Sequence, residues 1–81
     1  MNLMVVRTER QAEALRHVIL NRNEWLVVAA FGLLAGHKFD YIVCTVNECD
    51  FDAVCERDAF ARWMRDVGCR QRDPGKKIVW L

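Results

Sequence analysis

The chain has 81 residues, with 12 Lys and Arg against 11 Asp and Glu and a net charge of +1. A chain this short makes one small domain that buries only about 60–65% of its unfolded surface, so pairing with itself or a partner would add stability. A composition that is 53% hydrophobic and 28% charged excludes a disordered segment, and near neutrality excludes a global field that would gather nucleic acid or membrane, leaving such binding to a local patch.

Leu3–Val6 is apolar and β-branched and reads as a first strand, stopping at Arg7. It lacks the basic head and small-residue cleavage site of a signal peptide. A helix is expected to begin at Thr8, where Thr8 and Gln11 have the spacing of a capping box. Its apolar stripe is Ala12, Leu15, Val18 and Ile19, and it should fade at Asn21–Asn23. Trp25–Phe31 reads as a second strand, broken by Gly32. The apolar run around it is too short for the roughly 20 residues that cross a bilayer, so the expected compartment is the cytoplasm of a cell or of an infected host. Leu33, Leu34 and Ala35 could form one helical turn before Gly36.

Phe39–Val46 is the longest run of apolar, aromatic and β-branched residues with little polar interruption. It reads as a central strand buried on both faces, and an open α/β sheet places its site at the carboxyl end of such a strand. A second helix is expected over Asp52–Val67, capped by Asp50 or Asp52. Ala59, Phe60, Trp63, Met64 and Val67 form its apolar stripe, and Gly68 is expected to end it in a left-handed conformation. Pro74-Gly75 predicts a turn, and Lys77–Leu81 a terminal strand. The order β–α–β–β–α–β predicts a small α/β domain, a mostly parallel four-stranded sheet with two helices, though the direction of the second strand stays open. Two helices are expected to cover one face, leaving Trp25, Trp80 or Tyr41 on an open one.

Three pieces resemble the P-loop ATPase core of helicases and the large terminase subunits of phages. Val5–Thr8 with Gln11–Leu15 resembles the strand and helix after the nucleotide-binding unit. Gly36–Val43 resembles the approach to a Walker B strand, and Asp73–Trp80 the loop and strand after it. The chain has no G-x-x-x-x-G-K-[ST] cradle for phosphates, and Cys44-Thr45 stands where that family's Asp-Glu would hold magnesium. The resemblance therefore implies a shortened, catalytically inactive relative; convergent patterning of another α/β sheet is the alternative.

Several sets of residues are candidates for chemistry. Glu48, Asp50, Asp52, Glu56 and Asp58 crowd after the central strand. They could hold magnesium or calcium, or simply cap the helix and complement its dipole. Cys44, Cys49, Cys55 and Cys69 are spaced C-x4-C-x5-C-x13-C, without the C-x-x-C pair of a zinc knuckle. The candidate metal ligands are Cys49, Asp50, Asp52 and Cys55, with Cys44 and Cys69 as possible zinc partners, and no metal or other cofactor is expected. Cys44 and Cys69 read as small core residues. Cys49 or Cys55 at a helix N-terminus could be a reactive thiol, with His17 and His37 as the available bases.

Arg62, Arg65, Arg70, Arg72 and Lys76 form a basic tail along the second helix and its loop. They could contact phosphates or orient the dipolar domain on a charged protein. Trp80, in a terminal strand at a sheet edge, invites dimerisation or docking by strand addition. Together these features predict a non-catalytic module that binds a protein partner, an adaptor or inhibitor that the resemblance links to phage nucleic-acid machinery. Direct nucleic-acid binding through the same basic residues is the runner-up. A cysteine- or metal-dependent enzyme at Cys49, Asp50, Asp52 and His37 comes third.

Overall fold

The structure, a computed structural model, describes residues 1–18, 23–34, 36–73 and 75–81. In chain order these form β1 (Asn2–Val6), α1 (Glu9–Val18), β2 (Trp25–Ala29), β3 (Ile42–Cys44), a 3-10 turn (Glu48–Asp50), α2 (Val54–Cys69) and β4 (Val79–Trp80). The strands make one four-stranded sheet in the order β2-β1-β3-β4. Every pairing is parallel, which settles the direction of β2.

The capping box forms as expected. The Thr8 hydroxyl accepts the Gln11 N–H at 3.2 Å, and the Gln11 side-chain oxygen accepts the Thr8 and Arg7 N–H groups at 3.3 and 3.2 Å. The helix then lays Ala12, fully buried, against Val6 and Val27, with Met4 and Leu15 beside them. A side chain as small as Ala12 lets α1 approach the sheet closely. Val18 is exposed rather than part of the stripe, and the expected positions at Ile19 and Asn21 lie outside the described residues.

The larger core lies on the opposite face. Leu3 and Val5 of β1, Val28 of β2, and Ile42 and Cys44 of β3 pack under Phe60, Met64 and Val67 of α2. The helices therefore cover opposite faces, not one, and the strand order gives the reason. The chain steps from β1 outward to β2, then reverses across β1 to reach β3 and β4. Crossovers of constant hand must change faces when the direction of travel reverses. The β2–β3 connection does so, burying Leu34 and Phe39 on the α2 side.

Local boundaries depart from expectation where tertiary contacts intervene. Leu33 and Leu34 are not helical; Ala35 is outside the described residues, as is the expected Pro74. Phe31 is not in β2 but follows it at φ 67°, and the Gly32 N–H closes a turn onto the Ala29 carbonyl at 2.9 Å. Gly32 is needed there, because a Cβ would stand 2.9 Å from that carbonyl oxygen.

The long central strand is interrupted. Phe39 leaves the ladder to bridge Gln71, receiving the Arg72 N–H at 3.0 Å and donating to the Arg70 carbonyl at 2.8 Å. Asp40 is drawn aside by the Met1 amine at 2.9 Å. Helix α2 runs two residues further than expected at its carboxyl end, because Gly68 is helical and Arg70, at φ −95°, forms the cap. At the other end Ala53 is the N-cap, with neither Asp50 nor Asp52 capping α2. Among the described residues no helix is long and apolar enough to cross a membrane.

Candidate binding surface at the β4 edge

The strand order diverges between β1 and β3, so their carboxyl ends frame the crevice where doubly wound sheets hold ligands. The residues there satisfy one another. The Arg7 guanidinium donates to the Asp50 carbonyl at 2.8 Å, and the Asp50 carboxylate accepts the Asn47 N–H at 2.8 Å. The Thr45 hydroxyl donates to the Val5 carbonyl at 3.0 Å. Because Gln11 and Thr8 already take N–H groups of the first turn of α1, that helix end does not offer them to an anion. The acidic loop is thus stitched to the sheet by Asp50, while Asp52, Glu56 and Asp58 face solvent.

Among the described residues no three His, Cys, Asp or Glu side chains converge, so Cys49, Asp50, Asp52 and Cys55 are not brought together. Cys49 and Cys55 are exposed. His17 and His37 are exposed too, and among the described residues neither is hydrogen-bonded to a cysteine. Cys44 is a core residue as expected. Its thiol lies 3.4 Å from the Val46 carbonyl, and burial pushes its pKa up. Cys69 is exposed and not a core residue, because the helix continues through it and turns it away from the sheet.

The basic tail is split. Arg70 pairs with Asp66 at 3.3 Å, one helical turn back, and Arg72 reaches Asp40 at 3.6 Å. Lys76 places its amine 4.1 Å from the centre of the Tyr41 ring, a cation–π contact. Arg62 and Arg65 have no carboxylate partner among the described residues, and they line a shallow polar depression with Asp58 and Ala61. The six residues expected to make contacts thus occupy two places, Arg62, Arg65 and Trp80 along α2 and β4, and Arg70, Arg72 and Lys76 at the amino end of the sheet.

The surface with most to offer a partner lies between α2 and the edge strand. Phe60, Ala61, Met64, Ile78 and Trp80 line a mainly apolar groove of about 280 Å³, with Glu48 and Arg65 on its rim. Trp80 is 56% exposed although it sits in a strand. On the other face α1 reaches only β1 and β2. Tyr41, Val79 and Leu81, which are 54%, 48% and 77% exposed, are left over β3 and β4.

Trp80, singled out by its place in the chain, lines this groove. Ala61 and Ile78 were not singled out, because a small residue on a helix flank and one apolar residue before Val79 carry no signal until the helix is docked. The spacing of Phe60, Ala61, Met64 and Arg65, which puts all four on one flank of a helix, was the signal that could have found the groove. Comparison of the chain with protein-family models, curated proteins and solved structures gave no match.

Proposed function

We propose that this chain is a non-catalytic module that binds a protein segment along the free edge of β4, seating an apolar side chain in the groove beneath α2. One observation carries this reading: an uncharged edge strand, Val79–Trp80, exposes a tryptophan beside a preformed apolar groove. Backbone groups at such an edge supply affinity by strand addition, and pockets for alternate side chains supply selectivity. The P-loop likeness supports nucleic-acid machinery as the setting, with the module as adaptor or inhibitor.

Selection of random peptides displayed on phage tests the proposal. Enriched peptides should alternate apolar and polar residues, bind the intact domain, and lose binding to Trp80→Ala while retaining it with Arg70→Glu. Peptides indifferent to Trp80, or none enriched, would refute it. A parallel titration with single-stranded DNA serves the runner-up: binding that falls steeply with salt and vanishes in Arg62→Glu/Arg65→Glu would favour phosphate contacts instead.

A further inference from the structure

We infer that the partner fitted by the β4 edge is a second copy of this chain, paired antiparallel across a two-fold axis at Val79 to make one continuous eight-stranded sheet. This rests on the reading of the edge as a protein-binding surface and names its occupant.

The register follows from which backbone groups are free. The Leu81 N–H donates to the Cys44 carbonyl at 2.9 Å, so Leu81 and Val79 turn their backbone toward β3. Strand alternation then turns the N–H and C=O of Ile78 and Trp80 outward. Two copies satisfy all of these groups at once only when Ile78 of each faces Trp80 of the other. That register makes Val79 the central, non-hydrogen-bonded pair.

The side chains suit the same arrangement. Ile78 and Trp80 lie on the α2 face, where both line the groove. The two-fold sets each Trp80 against the other copy's Ile78, an aromatic–aliphatic cross-strand pair of a stabilising kind. The two grooves then join into one trough between the two α2 helices. On the opposite face the exposed Val79 residues meet, and Lys77 of one copy falls across from Leu81 of the other, so no two lysines oppose each other.

Charge adds a second, independent match. Glu48, in the turn after β3, marks the carboxyl end of the groove. Arg65 lies farther along α2, toward the amino end, since α2 runs antiparallel to the strands. An antiparallel two-fold therefore brings the acidic end of each groove to the basic end of the other. A parallel arrangement would set like charges together.

The test measures mass and register separately. Sedimentation equilibrium of the intact domain should give twice the 9.5 kDa of one chain, and Trp80→Glu should return it to a single-chain mass. Register is read by Val79→Cys in a background with Cys49, Cys55 and Cys69 changed to Ser. The central pair places these Cα atoms about 4.5 Å apart, within disulfide reach, so diamide should link the two copies. Leu81→Cys should not link, because the two Leu81 positions stand about 13 Å apart along the strands at about 3.3 Å per residue. A single-chain mass at every concentration, or linking at 81 but not at 79, overturns the inference. If the chain is monomeric yet Trp80-dependent peptides still bind, the occupant is wrong and the protein-binding reading stands. If both fail, the edge is not a binding surface.

Discussion

Phe31 offers a sharp test, because two opposing effects meet at one residue. Its backbone has φ 67°, a left-handed conformation that costs a residue with a Cβ about 1–2 kcal/mol. The ring holds it there. Its centroid lies 5.8 Å from Phe51, 6.2 Å from Phe60 and 6.2 Å from Trp63. The first two are edge-on contacts, and the side chain is about half exposed. Half of a full phenylalanine burial contributes about 1–1.5 kcal/mol, and aromatic pairing adds about 0.5–1.5 kcal/mol. Phe31→Ala removes the ring but keeps the Cβ, so it should cost about 2 kcal/mol. Phe31→Gly removes the ring and also the strain. After allowing for glycine's freer unfolded chain, it should be about 1 kcal/mol more stable than the alanine variant. That order is the reverse of the usual one for alanine and glycine. Urea unfolding followed by tryptophan fluorescence, with Trp63 beside the site, measures it. With a slope of about 1 kcal/mol/M for so small a domain, the two midpoints should differ by about 1 M. An alanine variant as stable as the glycine variant, or more so, would refute the strain argument.

Three further outcomes follow from ionisable groups. Under native conditions a thiol reagent should label Cys49, Cys55 and Cys69 rapidly and the buried Cys44 only as the domain opens; labelling of all four at one rate would show that β3 is not buried. Burial raises the Cys44 pKa above the usual thiol value of 9.0. The folded state therefore keeps a proton that the unfolded chain gives up, and stability should decline as pH rises above 9.0, a decline that Cys44→Ala removes. Asp40 shifts the other way. Its hydrogen bond to the Met1 amine, with the nearby charges of that amine, Arg72 and Lys76, holds its pKa below 3.8. Ionised Asp40 thus stabilises the fold above that pH, and the contribution is lost as pH falls through the depressed value. Melting curves of the intact domain and Asp40→Asn should converge at low pH; a constant offset down to the lowest pH would refute the pairing.

Local chemistry made the first half of the fold readable. The Thr8–Gln11 box and the Ala12–Leu15 stripe place α1 without reference to anything distant, because caps and helical periodicity are satisfied within a few residues. The stripe Phe60, Met64 and Val67 fixed the buried side of α2 in the same way, and Trp80 could be singled out by position. Boundaries failed where a distant group competed. Phe39 pairs with Gln71 instead of extending β3, Asp40 answers the Met1 amine, and Gly68 stays helical because Arg70 supplies the cap.

The type and order of the elements, and the apolar face of each helix, can thus be read from the residue order alone. Those properties depend on side-chain period and on caps, which neighbouring residues decide. That the helices lie on opposite faces follows from the fold as a whole, since it depends on the order in which strands lie side by side. The fold also splits the basic tail, because Asp40 is brought to Arg72 while Arg70 pairs within its own helix, and it leaves Arg65 on the groove that Trp80 lines. The groove under α2 is likewise tertiary: Phe60, Met64, Ile78 and Trp80 become one surface only when an edge strand docks beside a helix, and no spacing within the chain records that contact.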